Sequence, residues 1–270
     1  MGQKANTNSL RLPFVSKLSL NNSFSGIESS EMLKERLSIS NHLTTFFEKR
    51  KFLVKETFFQ VHKEKSSLLI FSSFFELKIR KVIKRKNIRS SRSFLFGARK
   101  FLSTFSSFGY FSSKRLFLQN LNKISLNYQK TIFEKETKKI RTNLSAFKKE
   151  KFFEPAISLF CLLNTLKGNG ILFSKFIAFF FKIYHKSRKK SNKFKYFLTK
   201  FIQSINSSNK TLKGMKIIIR GRFNRSDRSK KLLFEKGSLP TQTFKAPLGY
   251  YLTHLSTSFG VFGIHVWVFD

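Results

Sequence analysis

The chain has 270 residues, with 53 Lys and Arg against 14 Asp and Glu, a formal net charge of +39, and 36 Phe. An apolar fraction of 41% is enough to build a core, which excludes a wholly disordered polycation, and the length suits one large domain or two ordinary ones. Charge of this size repels itself unless anions neutralise it, so an acidic partner is required, and nucleic-acid phosphate is the commonest one.

Residues 1–30 are rich in Asn and Ser and read as an extended arm. Met1–Arg11 is polar with no apolar stretch behind it, so no secretory signal is expected. Ser29-Ser30-Glu31 opens a helix, with a Ser cap and Glu in the first turn, running through Met32, Leu33 and Leu37 toward His42–Phe47. Phe52–Val61 and Ser67–Phe75 are short apolar runs separated by the polar His62–Ser66, a hairpin pattern. Residues 76–115 are basic and Ser-rich, with Arg80, Lys84, Arg85, Arg89 and Arg92 among their cations. A charge run is usually a solvated face, but in so basic a chain a phosphate-contacting loop is an equal reading. Residues 116–150 are weakly helical, and Pro155 marks a helix start or domain boundary.

Helices are expected over 156–166, 171–187 and 192–206. In the last, Phe194, Phe197, Leu198, Phe201, Ile202 and Ile205 recur at three- and four-residue spacing, with Lys193, Lys195 and Lys200 largely off that stripe. Beyond Lys213 the texture changes to strands at Met215–Ile219, Thr241–Lys245 and Gly263–Phe269, punctuated by Gly, Pro and polar residues. Helices and strands segregated in this way read as α+β.

Several function classes fall away. Ile157–Leu166 is roughly half a membrane span, and Ile171–Ile183 is broken by Lys175 and Lys182, so no membrane span is expected. The lone Cys161 excludes an internal disulfide framework and a cysteine-built zinc site. His42, His62, His185, His254 and His265 lack metal-ligand spacing, and no nucleophile triad, paired carboxylates or phosphate-cradling loop is visible. No enzyme activity, metal or cofactor is expected. The excess of Phe, Lys, Asn and Ile reads as the codon bias of an AT-rich organellar genome, with Phe standing in the core where Leu, Val or Ile would serve.

The last stretch is the specific one. Gly214-Met215-Lys216-Ile217, Gly221-Arg222-Phe223, Gly237-Ser238-Leu239-Pro240, Thr243-Phe244, Tyr250, Phe259-Gly260-Val261-Phe262-Gly263 and Val266-Trp267-Val268 stand in this order, at spacings that need no gap against the pattern they resemble. Their order resembles the C-terminal domain of the small-subunit ribosomal protein S3 family. The opening Met1-Gly2-Gln3-Lys4, with Asn8 and Arg11-Leu12, looks like the same family's N-terminus. Three positions depart from the pattern: Asn224-Arg225 in place of two glycines, Gly249 in place of an acidic residue, and His265 in place of Lys.

The resemblance implies two domains. The first, over 31–154 after the arm at 1–30, would be a degenerate type II K-homology-like domain with a basic insertion at about 76–115. The second, over 155–270, would be the family's C-terminal domain of helices and a mixed sheet. A K-homology domain clamps single-stranded RNA with a G-x-x-G loop, but Glu76–Arg92 contains no Gly. Gly260-Val261-Phe262-Gly263 fits the letters, yet its apolar setting reads as a turn. RNA contact would then pass to the basic region. The resemblance implies a structural constituent of the small ribosomal subunit, in its head near the channel by which mRNA enters. Implied partners are small-subunit rRNA, mRNA and neighbouring head proteins, with no homo-oligomer. RNA-facing residues would be Lys4, Arg11, the five cations named in 76–115, Lys193, Lys195, Lys200, Lys216, Arg220, Arg222, Arg225 and Arg228. Lys193 matches one of the family's basic helix positions, where unwinding of structured mRNA is implicated. Gly221 would allow a tight turn, and Trp267 would be buried against the helices. Loss of the clamp together with the Phe and Lys bias favours a mitochondrion, with a reduced plastid as the alternative. The rival function is a non-ribosomal organellar RNA-processing factor.

Overall fold

A computed structural model describes residue 11 and residues 30–62, 67–77, 113–165, 170–208, 212–246 and 248–269. The chain is α+β and divides into two compact units, one within residues 17–121 and one comprising 122–270 with the N-terminal residues up to Ser16. The helices that follow residue 121 therefore belong with the C-terminal unit, ahead of the boundary expected at Pro155.

In the first unit, helix α1 (Ser30–Lys49) begins where the Ser-Glu signal places it. Strands β1 (Phe52–His62) and β2 (Ser67–Glu76) pair antiparallel, as the two apolar runs require. Strand β3 (Ser113–Asn120) lies parallel beside β2, in the order β1-β2-β3. Sequence reading missed it because Lys114 and Arg115 sit within a basic stretch. The core of this unit is Ile39, Leu43 and Phe47 of α1 against Val54, Ile70 and Phe74. These α1 residues are four apart, which puts them on one helix face.

The second unit has five helices, α2 (Leu121–Lys130), α3 (Glu134–Asn143), α4 (Phe153–Thr165), α5 (Gly170–Tyr184) and α6 (Arg188–Ser208). Four antiparallel strands follow, β4 (Gly214–Gly221), β5 (Lys230–Gly237), β6 (Leu248–Thr257) and β7 (Gly260–Phe269), in the order β5-β4-β7-β6. The mixed pairing is confined to the first unit's sheet. Helix α5 packs on β6 and β7, and α6 on β5. The stripe read on α6 is the buried one: Phe194, Phe197, Leu198, Phe201, Ile202 and Ile205 are all in the core. Ile217, Ile219, Ile264 and Val266, the alternate residues of β4 and β7, are buried on one face of the sheet. No described helix is long and apolar enough to cross a membrane.

Four readings of the tail change. Thr241–Lys245 is a loop: the carbonyls of Pro240, Thr241 and Thr243 accept from Nη2 of Arg11 at 3.4, 2.9 and 3.0 Å. The Thr241 and Thr243 carbonyls are thus taken up by a guanidinium and not by a neighbouring strand. Gly260–Gly263 is the start of β7, with φ +117° at Gly260 taking up the hairpin turn after Ser258-Phe259. Gly221 serves close approach, because a Cβ there would lie 2.2 Å from the Phe262 ring. Trp267 shares a sheet face with Lys216 and Tyr250, opposite the one that meets the helices.

Cys161 is fully buried in α4, and burial pushes its thiol up to about 12. The thiolate is the reactive form. Cys161 is therefore expected to resist a disulfide reagent at pH 7 until the protein is unfolded, and stoichiometric labelling of the native chain would contradict its placement.

Candidate nucleic-acid interface

Helix α6 opens with Arg188-Lys189-Lys190 and has no acidic residue in its first turn. Cations there oppose the helix dipole, at a cost of about 0.3–1 kcal/mol each at an exposed position. All three are exposed. One turn on, Lys195 is half-buried, with its Nζ 4.6 Å from the centre of the Phe223 ring and 3.3 Å from Asn192 Oδ1. Burial, and then the nearby charges of Arg188 and Lys230, hold Lys195 below the ordinary lysine pKa. The charges of Arg188, from the helix, and Lys230, from the start of β5, thus both act on Lys195. Like charges held this close cost stability, and a bound polyanion relieves that cost.

The neighbouring loop adds to the cluster. Arg222 is exposed, and its Nε donates to the Ser226 carbonyl at 2.9 Å. Its guanidinium is 4.0 Å from the fully exposed Asp227, a pair of little energetic weight. Asn224 adopts a left-handed conformation, with φ 54°, which turns the loop back beside the helix. Arg228 is exposed on the same connection.

The sequence-expected residues divide. Lys195, Arg222 and Arg228 are in this region, and Arg225 is too, though its side chain lies outside the described residues. Lys193 is engaged elsewhere, bonded to Glu150 at 2.6 Å. Lys200 is exposed, 5.7 Å from the Tyr196 ring centre. Lys216 pairs with Glu235 at 2.8 Å, and Arg220 is exposed on the sheet face that carries Trp267. Lys4, Arg80, Lys84, Arg85, Arg89 and Arg92 lie outside the described residues.

Arg11 is not presented to a ligand. Only 1% of it is exposed, and it clamps the 240–243 loop. Hydrogen bonds to a charged group contribute about 1.5–3 kcal/mol. Arg11→Ala is therefore expected to cost about 2–3 kcal/mol in urea unfolding, with little recovered by Arg11→Lys, whose single ammonium cannot reproduce the guanidinium's planar donor set. A neutral Arg11→Ala would remove the clamp. The residues missed from sequence are Arg188 and Lys230. The first stands in a visible charge run, but its nearness to Lys195 and Lys230 is set only by the fold.

The strand order, the cationic helix and the landmark glycines can now be compared with known proteins. Residues 186–268 match the family described as ribosomal protein S3, C-terminal domain. The C-terminal region is thus similar to the C-terminal domain of the ribosomal protein S3 family. The small ribosomal subunit protein uS3 of Karelsulcia muelleri is 38% identical over 55 residues, 20% of this chain and 24% of that protein. The uS3c protein of Helicosporidium sp. subsp. Simulium jonesii is 38% identical over 66 residues, 24% of this chain and 27% of its own length. The uS3 protein of Neorickettsia sennetsu is 27% identical over 102 residues, 38% of this chain and 44% of that protein. The match thus spans less than half of each relative. Helix α6 and the strands after it are the matched part, so Arg188, Lys195 and Lys230 fall within it.

Proposed function

We propose that the protein is a structural, non-catalytic constituent of the small ribosomal subunit that binds rRNA through the cationic surface formed by α6, the 222–229 connection and Lys230. The observation that supports this most is the crowding of Arg188, Lys195 and Lys230 inside the segment that matches the S3 family. Lys and Arg displace counterions from phosphates, and the release of those ions drives binding. Contacts to phosphates follow RNA shape and carry no base information.

The finer reading puts the protein in the head of the subunit, beside the channel by which mRNA enters, with the exposed face of α6 toward mRNA and head proteins around it. Of the three lysines expected to face mRNA, Lys195 and Lys200 are left to do so, since Lys193 is held by Glu150. The first unit is read as a degenerate K-homology-like domain. Its order of helix, two antiparallel strands and a third strand parallel to the second supports that reading. The Phe- and Lys-rich composition supports a mitochondrial ribosome, with a reduced plastid as the alternative.

Lys195→Ala with Lys200→Ala tests the mRNA assignment. Translation of hairpin-containing messages should slow selectively. Equal slowing of unstructured messages would contradict it.

A further inference from the structure

The C-terminal sheet has a second face, turned away from α5 and α6, and it carries an aromatic row. Tyr250 of β6 is the cross-strand partner of Trp267 on β7, with ring centres 5.0 Å apart. His265 lies two residues before Trp267 on the same face, and their rings are nearly parallel, 13° apart with centres at 5.8 Å. The Tyr250 hydroxyl is 2.7 Å from His265 Nδ1, which locks the two side chains together. All three rings are half-buried, and Leu252 beside them is 42% exposed. Rings already ordered in this way lose little freedom when a flat group stacks on them.

The charge next to the row points to the ligand. Arg220 of β4 and Lys231 of β5 are direct cross-strand partners, and both are exposed. Like charges set opposite each other destabilise a sheet unless an anion lies across them. An anionic chain that also offers flat apolar groups satisfies both features.

We propose that this outer face is a stacking platform for a single-stranded RNA segment, with bases against Trp267, His265 and Tyr250 and phosphates against Arg220 and Lys231. Such platforms combine aromatic side chains with a cationic track and tolerate any base sequence. The platform is separate from the α6 surface and does not depend on the ribosomal assignment.

Trp267 is the chain's single Trp, so its emission reports this face alone. The full chain is titrated with a short oligouridylate carrying a fluorescent label. Anisotropy follows binding anywhere on the protein, and Trp267 emission follows stacking. The expected result is saturable quenching of Trp267 by the oligouridylate and none by inorganic polyphosphate, which has charge but no bases. Tyr250→Leu with His265→Leu keeps apolar bulk and should weaken the quench-reported affinity about ten-fold. Arg220→Gln with Lys231→Gln should flatten its salt dependence by about two phosphate contacts. Binding by anisotropy with unchanged Trp267 emission overturns the proposal, as does equal quenching by polyphosphate. Shielding of Trp267 from acrylamide by a co-purified protein and not by RNA also overturns it, and assigns the face to a protein neighbour.

Discussion

Phe152→Ala is expected to destabilise the C-terminal unit by about 3–5 kcal/mol, a large part of the roughly 5–15 kcal/mol that holds a typical domain together. The Phe152 ring is 1% exposed and meets five others: Phe147 at 6.2 Å, Phe180 at 6.0 Å, Tyr184 at 6.1 Å, Phe194 at 5.2 Å and Phe197 at 4.4 Å. These partners come from the turn before α4, from α5 and from α6, so the cavity left by Ala lies where those elements meet. Phe152→Leu keeps most of the volume and should cost about 1.5 kcal/mol or less. Urea unfolding of the two variants separates two accounts of the Phe excess. A small Leu effect means that Phe fills space that another apolar residue would fill. A Leu effect as large as the Ala effect would mean that the ring geometry itself is required.

The second large effect concerns charge. Arg188→Gln, Lys195→Gln and Lys230→Gln together should lower affinity for structured RNA on the order of a hundred-fold at about 0.1 M salt, and make the salt dependence less steep by about three phosphate contacts. Because Arg188 and Lys230 disfavour the Lys195 charge in the free protein, thermal stability should hold or rise slightly. RNA affinity that falls in proportion to a loss of folded protein would contradict the assignment, since it would make these residues structural.

A pH effect follows from the aromatic row. Burial, then the nearby charges of Arg220 and His254, hold His265 below its ordinary pKa. The neutral form is favoured in the folded chain, so His265 detracts nothing above the unfolded value of about 6.5. As pH falls through that value, the unfolded chain takes up the proton first and stability declines. The decline should be shallower in His265→Gln, as read from melting temperature across pH 7.5 to 5 (about those limits). An unchanged profile would place the titrating group elsewhere.

Much of the fold was legible in the residues, and the exceptions have physical causes. The α6 stripe was legible because six apolar residues at helical spacing permit little else. β5 was not, because its residues alternate between half-buried and exposed, and Lys230, Lys231 and Lys236 blunt a sheet edge in the way edge strands commonly do. Thr241–Lys245 has strand-like residues, but its backbone is committed to a guanidinium more than two hundred residues away in sequence. Nothing in the residues around Arg11 announces that contact. The interface was half legible. Cations on α6 and after Gly221 were visible, whereas the ion pairs that occupy Lys193 and Lys216 depend on where Glu150 and Glu235 come to lie. Trp267 was misplaced for a similar reason: the parity of β7 fixes which side chains share a face, but only the packing of α5 says which face is inside.

Association with the small ribosomal subunit is the central claim, and sedimentation of cell lysate through a sucrose gradient at moderate salt tests it most directly. The protein is expected to travel with small subunits and to be released only as salt rises, as a phosphate-bound polycation must. A protein that stays with light RNA-processing particles or at the top of the gradient, while small subunits sediment normally, would contradict the account.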